Sequence, residues 1–594
     1  MENMKRTATC GELNSSRVGE TVTLNGWVHR NRDHGGILFI NLRDRYGITQ
    51  VVIDEDASAP LKEKAKELKF EYCIAVVGIV RRRPDEMVNK DMNTGEIEVA
   101  ASQIEILTKC DVLPFMIDEK SDAKEDLRLK YRYLDLRSFS MQRKIRLRTD
   151  VTFAAREFLI GKGFMEIETP TMIKSTPEGA RDFLVPSRIH AGKFYALPQS
   201  PQLYKQILMV SGFDRYFQIA HCFRDEDARG DRQPEHTQID MEMSFVSKDD
   251  VFEVVEGMMS HIFDKTLGVK LEIPFQRLPY DDALNRFGSD KPDLRFGLEM
   301  KTVDELASKS GFNAFKSVIA EGGCVKALVA SGCAGYSRKQ ISELEDAAKV
   351  YGAKGLAWMK VGESGIEGGV SKFFDGIADE LLASLEAQEG DLILMVGDKW
   401  NVACTSLGAV RSKLGKDLGL IEAGTFRFCW IVDFPLFEYN EEEQRWEAAH
   451  HMFTMPQEQY LDTLEENPGA VKGDLYDLVC NGFELASGSI RIHDPEIQKR
   501  IFNIVGFSSE EAENRFGFLL NAFRYGPPPH GGIAPGLDRL VMIMAGENSI
   551  KEVIAFPKNN QAYSPMDDSP SLVDEDQLKM LHIKLDMPEK EEES

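Results

Sequence analysis

Residues 216–245, YFQIAHCFRDEDARGDRQPEHTQIDMEMSF, constrain this chain more than any other stretch. The first eight are apolar enough for a strand. From Thr237 the pattern alternates, with Ile239, Met241, Met243 and Phe245 on one side and Gln238, Asp240, Glu242 and Ser244 on the other. Two such runs around a polar link predict an antiparallel hairpin. One face packs, and the other presents amides and carboxylates. The link carries Arg224, Arg229 and Arg232 against Asp225, Glu226, Asp227 and Asp231. A solvated turn is the plainer reading. Against it, the polar face of the second strand continues the chemistry of the loop. Arg224 also follows directly on an apolar strand, where its guanidinium can be held rigidly to clamp a phosphate or carboxylate.

The stretch resembles the second signature motif of the class II aminoacyl-tRNA synthetases, in its aspartyl form (FRDED…RQPE.TQID). That resemblance implies an arginine, Arg224, bridging the amino-acid carboxylate and the α-phosphate of ATP. It also implies Asp225, Glu226, Gln233 and His236 on the ATP side, and Asp240 beside the amino acid. His236 stands where the family often has a phenylalanine stacked on adenine, and an imidazole can still stack.

Two further motifs lie in order around it. From 141 to 160, Ile145, Leu147, Val151, Phe153, Ala154, Phe158 and Leu159 recur at helical spacing. Gly161-Lys162-Gly163 stops the helix, a short strand follows, and Pro170 ends it. This is similar to the first class II motif, which implies a homodimer interface. Gly531-Gly532-Ile533-Ala534-Pro535-Gly536-Leu537-Asp538-Arg539-Leu540 is a glycine-rich strand running into a helix. It resembles the third motif, which implies ATP-binding roles for Gly536, Leu537, Asp538 and Arg539. Arg539, at the helix start, would reach the γ-phosphate, helped by the helix dipole.

Between the motifs lie shorter constellations. Residues 176–183, TPEGARDF, are small residues around one acid and read as a surface turn or a lid. The family resemblance implies a lid, with Glu178 facing the substrate ammonium. Residues 196–205, ALPQSPQLYK, bring Gln202 and Lys205 together. A point cation beside a small acid's side chain favours aspartate over a neutral amide. His450 and His451, taken as strand residues, would point opposite ways, which argues against a shared metal. The resemblance implies His450 beside the aspartate. In 477–491, Asp477 and Glu484 are hard oxygen ligands suited to Mg2+ on phosphates. Arg491 can grip a carboxylate with both prongs. Ala486-Ser487 stand where the family usually has two more glycines.

The length of 594 residues predicts several domains. No apolar run reaches membrane-spanning length, and the N-terminus has no hydrophobic segment. The nine cysteines form no C-x-x-C pair, which argues for reduced thiols in a cytoplasmic protein without structural zinc or disulfides. A net charge of −25 argues against nucleic-acid binding by the chain as a whole. The charge is segregated, however: Arg30, Arg32, Arg43, Arg45 and Arg81-Arg82-Arg83 cluster near the N-terminus.

Residues 1–110 read as about five short strands with one helix, near 61–68, between the third and fourth. That pattern predicts an OB barrel, which binds single-stranded nucleic acid. GWVHRNRDHGG…F.NLRDR.G.TQVV resembles the anticodon-binding domain of bacterial aspartyl-tRNA synthetases. The resemblance implies anticodon contacts from Arg32, Gln50, Arg83 and Glu98, with Val52 replacing an aromatic that often stacks there. It also implies that His34, and a second position near Glu86 and Met87, discriminate tRNA-Asp from tRNA-Asn. His34 leans to an enzyme that accepts both.

The expected architecture is multidomain α+β. An OB β-barrel occupies 1–110 and a linker or hinge 111–140. A class II antiparallel-sheet catalytic domain occupies 141–294, an inserted α/β domain 295–425, and the rest of the catalytic domain with a C-terminal extension 426–594. The resemblance implies an ATP- and Mg2+-dependent ligase joining L-aspartate to tRNA-Asp, with tRNA-Asn as a second substrate. Two rivals are a related ligase for asparagine or lysine and a non-catalytic tRNA-binding paralogue. Lys205 with Arg491 argues against the first. Retention of Arg224, Glu484 and Arg539 argues against the second.

Overall fold

A computed structural model describes residues 4–119, 122–176 and 180–587. They form two compact units, one within 1–145 plus 564–569, the other from 146 to 563 plus residues from 570 onward.

The first unit holds β1 (Thr21–His34), β2 (Ile37–Arg43), β3 (Ile48–Ile53), α1 (Ala59–Glu67), β4 (Cys73–Arg82) and β5 (Ile97–Thr108). The strands close a barrel in the order β1-β2-β3-β5-β4. A single parallel pairing, Val51 against Val99, closes it. Val22, Leu24, Ile40, Val51, Ile74 and Val99 fill the interior. Helix α1 starts with proline in its first turn, a favoured place for it, and buries Leu61 and Ala65. Residues expected as a linker contain two short helices, Glu125–Lys130 and Arg132–Asp135. Arg137, just after them, donates to the buried Glu71 at 2.9 Å and lies 4.9 Å from the Trp27 ring. Arg43 takes the same Glu71 oxygen at 2.8 Å, so these helices are tied to the barrel.

The second unit is organised by one sheet. Its elements are α2 (Phe139–Gly161, from Arg146 onward), β6 (Met165–Glu166), α3 (Gln202–Val210), β7 (Arg215–Phe223), β8 (Glu235–Ser244), α4 (Lys248–Leu267), β9 (Gln276–Pro279), β10 (Phe428–Val432), β11 (Leu475–Cys480), β12 (Phe483–Ile490), β13 (His530–Ile533) and α5 (Leu537–Met544). The strand order is β9-β10-β11-β12-β13-β8-β7-β6. Only the two edge pairings are parallel. Val151, Ala154 and Leu159 of α2, Phe252 and Val255 of α4, and Val541 of α5 pack on one side of it with Ile239, Met241 and Met243.

The hairpin β7–β8 pairs His236 with Cys222 and Met243 with Arg215. Two sequence expectations change here. Phe245 does not extend the apolar face, because its backbone turns left-handed (φ 58°) and the ring is exposed. The polar face is not open to water either, since Asp240 and Glu242 are wholly buried. Strand β8 has a neighbour on each edge, and Lys205 on α3 reaches across that face.

Between β9 and β10 the chain builds a separate five-stranded sheet from Lys301–Thr302, Cys324–Ala330, Ala357–Gly362, Gly365–Glu367 and Leu392–Asp398. Each neighbouring pair runs antiparallel, and an apolar core lies on either side. At its root the buried Arg411 donates to the carbonyls of Asp293, Phe296, Gly297 and Leu298 at 2.9–3.1 Å. Its guanidinium also stacks 4.2 Å from the Phe296 ring. Burial pushes this arginine down to about 10.

Gly532, on β13, marks where the sheet is tightest. A Cβ there would lie 2.0 Å from a Glu242 carboxylate oxygen and 2.1 Å from the Met241 carbonyl. A backbone carbonyl cannot step aside as a side chain can, so Gly532→Ala is expected to destabilise the protein by about 1–3 kcal/mol. Urea unfolding measures this, and an unchanged midpoint would refute it.

Candidate active site

A cleft of about 440 Å3 opens over β8, β12 and the N-terminus of α5. Four buried charges form its floor. Lys205 Nζ lies 2.9 Å from Asp240 Oδ2 and 3.2 Å from Glu242 Oε2. Arg491 grips Glu242 from the other side, through Nε at 2.9 Å and Nη2 at 3.2 Å. The sequence reading has Lys205 as a point cation beside a substrate carboxylate. In the structure two protein carboxylates already lie against it. Burial pushes Glu242 up, but Arg491 and Lys205 outweigh that and hold it below the usual carboxylate range. Burial pushes Asp240 above that range, against the pull of Lys205. Glu242 is therefore the firm anion of the four, and it fixes both cations.

Glu242 and His451 were not singled out from the sequence. Arg491 Nη1 donates to Ser489 Oγ at 2.6 Å and meets His451 Nε2 at 2.8 Å. Burial, reinforced by Arg491, holds His451 far below the usual histidine range, so the ring is neutral. The two histidines lie in a bend rather than a strand, and both line the cleft. His450 stands edge-on to Phe434 at 5.1 Å and is pushed down by burial. The strict alternation of β8 was the available signal for Glu242, two residues on from Asp240.

Among the described residues, three buried polar atoms of the cleft residues have no protein partner: Arg224 Nε, Gln202 Nε2 and Asp240 Oδ1. They are two donors and one acceptor. An amino acid supplies the complement, since its carboxylates accept and its ammonium donates. Arg224 is set by its own backbone, whose N–H bonds to the Pro234 carbonyl at 2.8 Å across the loop mouth.

The remaining expected residues divide. Glu226, Gln233, His236, Glu484, Gly536, Asp538 and Arg539 line the cleft. Gln233 clasps the Lys558 backbone both ways, accepting from N–H at 2.8 Å and donating to the carbonyl at 3.0 Å. Arg539 donates to the Glu484 carbonyl and lies 3.3 Å from Asp231. Burial, with Arg224 alongside, pushes His236 down to about 3. Asp225 does not line the cleft, and its carboxylate faces Arg181 at 3.4 Å near the surface. The Leu537 side chain lies in the core. Asp538 turns both carboxylate oxygens to protein: Arg148 takes one, and the Thr237 N–H donates to the other at 2.8 Å. Glu178 lies outside the described residues.

Asp477 and Glu484 stand on adjacent strands, β11 and β12. Burial, then the Glu484 charge, pushes Asp477 well above the usual carboxylate range, and its Oδ1 has no partner. An orphaned carboxylate oxygen beside a second carboxylate suits a hard divalent cation. Among the described residues no cluster of three His, Cys, Asp or Glu side chains could hold a metal. Asp477 and Glu484 could supply two carboxylate donors to such a cation.

On the barrel, Gln50 Nε2 donates to Glu98 at 3.0 Å, and Arg81 Nε takes the other Glu98 oxygen at 2.8 Å. Arg83 is buried on the Ile97 carbonyl at 2.9 Å, with Nη2 unpartnered. The register sets Arg32 against Phe39, and Phe39 against Val52. An aromatic ring therefore stands one strand away from the position where Val52 lacks one. Arg81 and Phe39 are the additions here. His34 ends β1 before two left-handed glycines, Gly35 and Gly36. Glu86 and Met87 sit exposed in a short turn, Asp85–Met87.

The floor generates a test. Lys205→Met leaves Asp240 without its cation in a buried site, and losing one partner of such a pair costs about 3–5 kcal/mol. Urea unfolding reads the loss. Adding Asp240→Asn should restore part of it, and a double variant no more stable than the single one contradicts the network.

The chain matches the model for class II tRNA synthetases (D, K and N) over residues 124–560, and that for the OB-fold nucleic acid binding domain over 22–107. It is 67% identical to the aspartate–tRNA(Asp/Asn) ligase of Treponema denticola, over 98% of this chain and 99% of that one. It is 53% identical to the aspartate–tRNA ligase of Ruminiclostridium cellulolyticum, over 98% and 99%. Among solved structures it resembles asparaginyl-tRNA synthetase from Pyrococcus horikoshii complexed with asparaginyl-adenylate, at TM-score 0.59 and 20% identity, covering 93% of this chain and 98% of that one. Aspartyl-tRNA synthetase from Entamoeba histolytica follows at 0.56 and 19%, covering 94% and 92%. The chain belongs to the class II aminoacyl-tRNA synthetases, in the branch of the aspartate–tRNA ligases.

Proposed function

We propose that this protein joins L-aspartate to tRNA in two steps, through aspartyl-adenylate. The observation that carries the reading is the floor of the cleft, where Glu242 holds Lys205 and Arg491 side by side. Two cations fixed beside a neutral His451 suit a side-chain carboxylate and leave a carboxamide poorly matched. Arg224, with its buried unpartnered nitrogen, takes the α-carboxylate and the α-phosphate. The aspartate α-carboxylate oxygen attacks that phosphorus in line, and pyrophosphate leaves toward Arg539. Arg224 and Arg539 offset the charge that develops on either side of the transferring phosphorus. The terminal hydroxyl of tRNA then attacks the acyl carbon, and AMP leaves. No protein nucleophile is required. Asp477 and Glu484 would hold Mg2+, which would supply charge neutralisation for the phosphates.

The barrel supports the second substrate. Gln50, Glu98, Arg83 and Arg32, with Phe39 beside them, offer donors, acceptors and a stacking surface to unpaired anticodon bases. His34 and the relatives named for both tRNAs support charging of tRNA-Asn as well as tRNA-Asp. The exposed Phe153 and Ile160 of α2, with Met165 on the edge strand, support a homodimer through this face. Nine free cysteines suit the reducing cytoplasm, where tRNA is charged. No described helix is long and apolar enough to cross a membrane.

Aminoacylation of purified tRNA-Asp and tRNA-Asn with aspartate is the direct test. Aspartate should be transferred to both. Charging of tRNA-Asp alone would refute the dual specificity, and charging of neither would refute the reading.

His236 gives a second test. Its depressed pKa keeps the ring neutral at working pH, suited to stacking on adenine. His236→Phe should leave the ATP KM nearly unchanged, whereas His236→Ala should raise it roughly 5- to 150-fold, the span of one base–aromatic stack. The same shift has a pH consequence. The unfolded imidazole, at 6.5, binds its proton before the folded one, at about 3, so stability is lost as pH falls through that window. His236→Phe should therefore gain relative stability at about pH 5 compared with about pH 7.5 in thermal unfolding. Equal differences at both would refute the assignment.

A further inference from the structure

Asp538 carries an expected ATP-binding role, and its carboxylate is bonded on both oxygens within the protein. The Thr237 N–H of β8 donates to one oxygen at 2.8 Å, and Arg148 of α2 holds the other. Both side chains are largely shielded from water, Asp538 almost completely. Three segments meet at this carboxylate: the helix of the first motif, the strand of the second and the helix start of the third. They lie 301 and 390 residues apart in sequence. Buried charge pairs with such partners fix geometry more than they add stability.

The neighbours of Asp538 show what geometry is fixed. Gly536 N–H donates to the Leu485 carbonyl at 2.9 Å, and the Ile239 N–H donates to the Pro535 carbonyl at 2.8 Å. Arg539, the next residue, donates to the Glu484 carbonyl. His236, on the other side, precedes Thr237. A shift of Asp538 therefore moves the two groups that frame the nucleotide, His236 and Arg539. Among the described residues, no hydrogen bond or ion pair of the Arg148 and Asp538 side chains reaches the side chains of the Lys205–Arg491 floor, which Asp538 meets only through the backbone of β8.

We propose that Arg148 is a positioning residue for the nucleotide half of the site, acting through Asp538 without touching substrate. The inference rests on the ATP-dependent reading above and deepens it. Arg148 anchors Asp538, Asp538 sets the start of α5 against β8, and that contact sets Arg539 and His236. A guanidinium is suited to the task because it holds a carboxylate in one orientation, which an ammonium does less well.

The test uses the full chain with Arg148→Gln and Arg148→Lys. ATP binding is measured by calorimetry, which needs neither aspartate nor tRNA and so stands even if the amino-acid assignment fails. Aspartate-dependent ATP–pyrophosphate exchange then gives separate KM values for ATP and aspartate. Arg148→Gln should weaken ATP about tenfold in both measurements while the aspartate KM stays within about twofold. Arg148→Lys should recover most of the loss, and it serves as the readable variant should the glutamine form fail to fold. Its smaller ATP defect should then appear with an unchanged aspartate KM. In an Asp538→Asn background, Arg148→Gln should add little, because both act through one carboxylate. Equal rises in both KM values, an unchanged ATP affinity, or fully additive effects with Asp538→Asn would each overturn the proposal.

Discussion

Everything in the catalytic unit is arranged around a carboxylate that water cannot reach. Glu242 lies in the middle of β8, between Lys205 from α3 and Arg491 just past β12. Burying one unpaired charge there would be prohibitive, and burying four is tolerable only if they alternate in sign and share hydrogen bonds. That requirement reaches outward. Strand β13 must carry glycine at 532, because Glu242 occupies the space a side chain would need. His451 must stay neutral, because Arg491 already stands 2.8 Å away. The antiparallel order of β12, β13 and β8 brings residues 242, 491 and 532 together from distant parts of the chain.

The same network sets compensated charges, rather than one bare lysine, at the floor of the cleft. A bare cation in a closed pocket would lose its proton or recruit any anion. Burial pulls the Arg491 pKa down, but Glu242 outweighs that and keeps the guanidinium charged. An incoming side-chain carboxylate meets cations that are rigid but only partly neutralised. On the proposed function, a neutral amide in that place would bring two donors toward donors, a mismatch that would disfavour it.

The motifs were legible because their chemistry is local. An apolar strand, a charged loop and an alternating strand predict a hairpin, and the hairpin is there, with Arg224 where the reading put it. A glycine-rich strand running into a helix likewise predicted the start of α5. The barrel was legible for the same reason, as five short strands and one helix. What escaped depends on contacts far apart in sequence. Nothing near Asp538 reveals that its carboxylate faces Arg148, 390 residues away. Nothing near Lys205 reveals that Glu242 compensates it, although Glu242 was visible on the polar face of its strand. Alternation also misled at Phe245, where the backbone turns left-handed to meet the Pro529 carbonyl. Periodicity assigns faces only as long as the strand continues.

The atoms left without partners are informative about direction. Arg224 Nε, Gln202 Nε2, Asp240 Oδ1 and Asp477 Oδ1 are all buried and all unsatisfied within the protein. A buried donor or acceptor in that state costs about 1–3 kcal/mol. Among the described residues they are four of eleven such side-chain atoms, and three of the four belong to residues that line the cleft. A fold selected for stability alone would have paired them with one another or replaced them with apolar groups. The unmet polarity is complementary in sign to a zwitterionic amino acid on one side and a metal-bound phosphate on the other. On the proposed function, binding would satisfy groups that folding leaves unpaired, and their desolvation cost would be recovered as affinity.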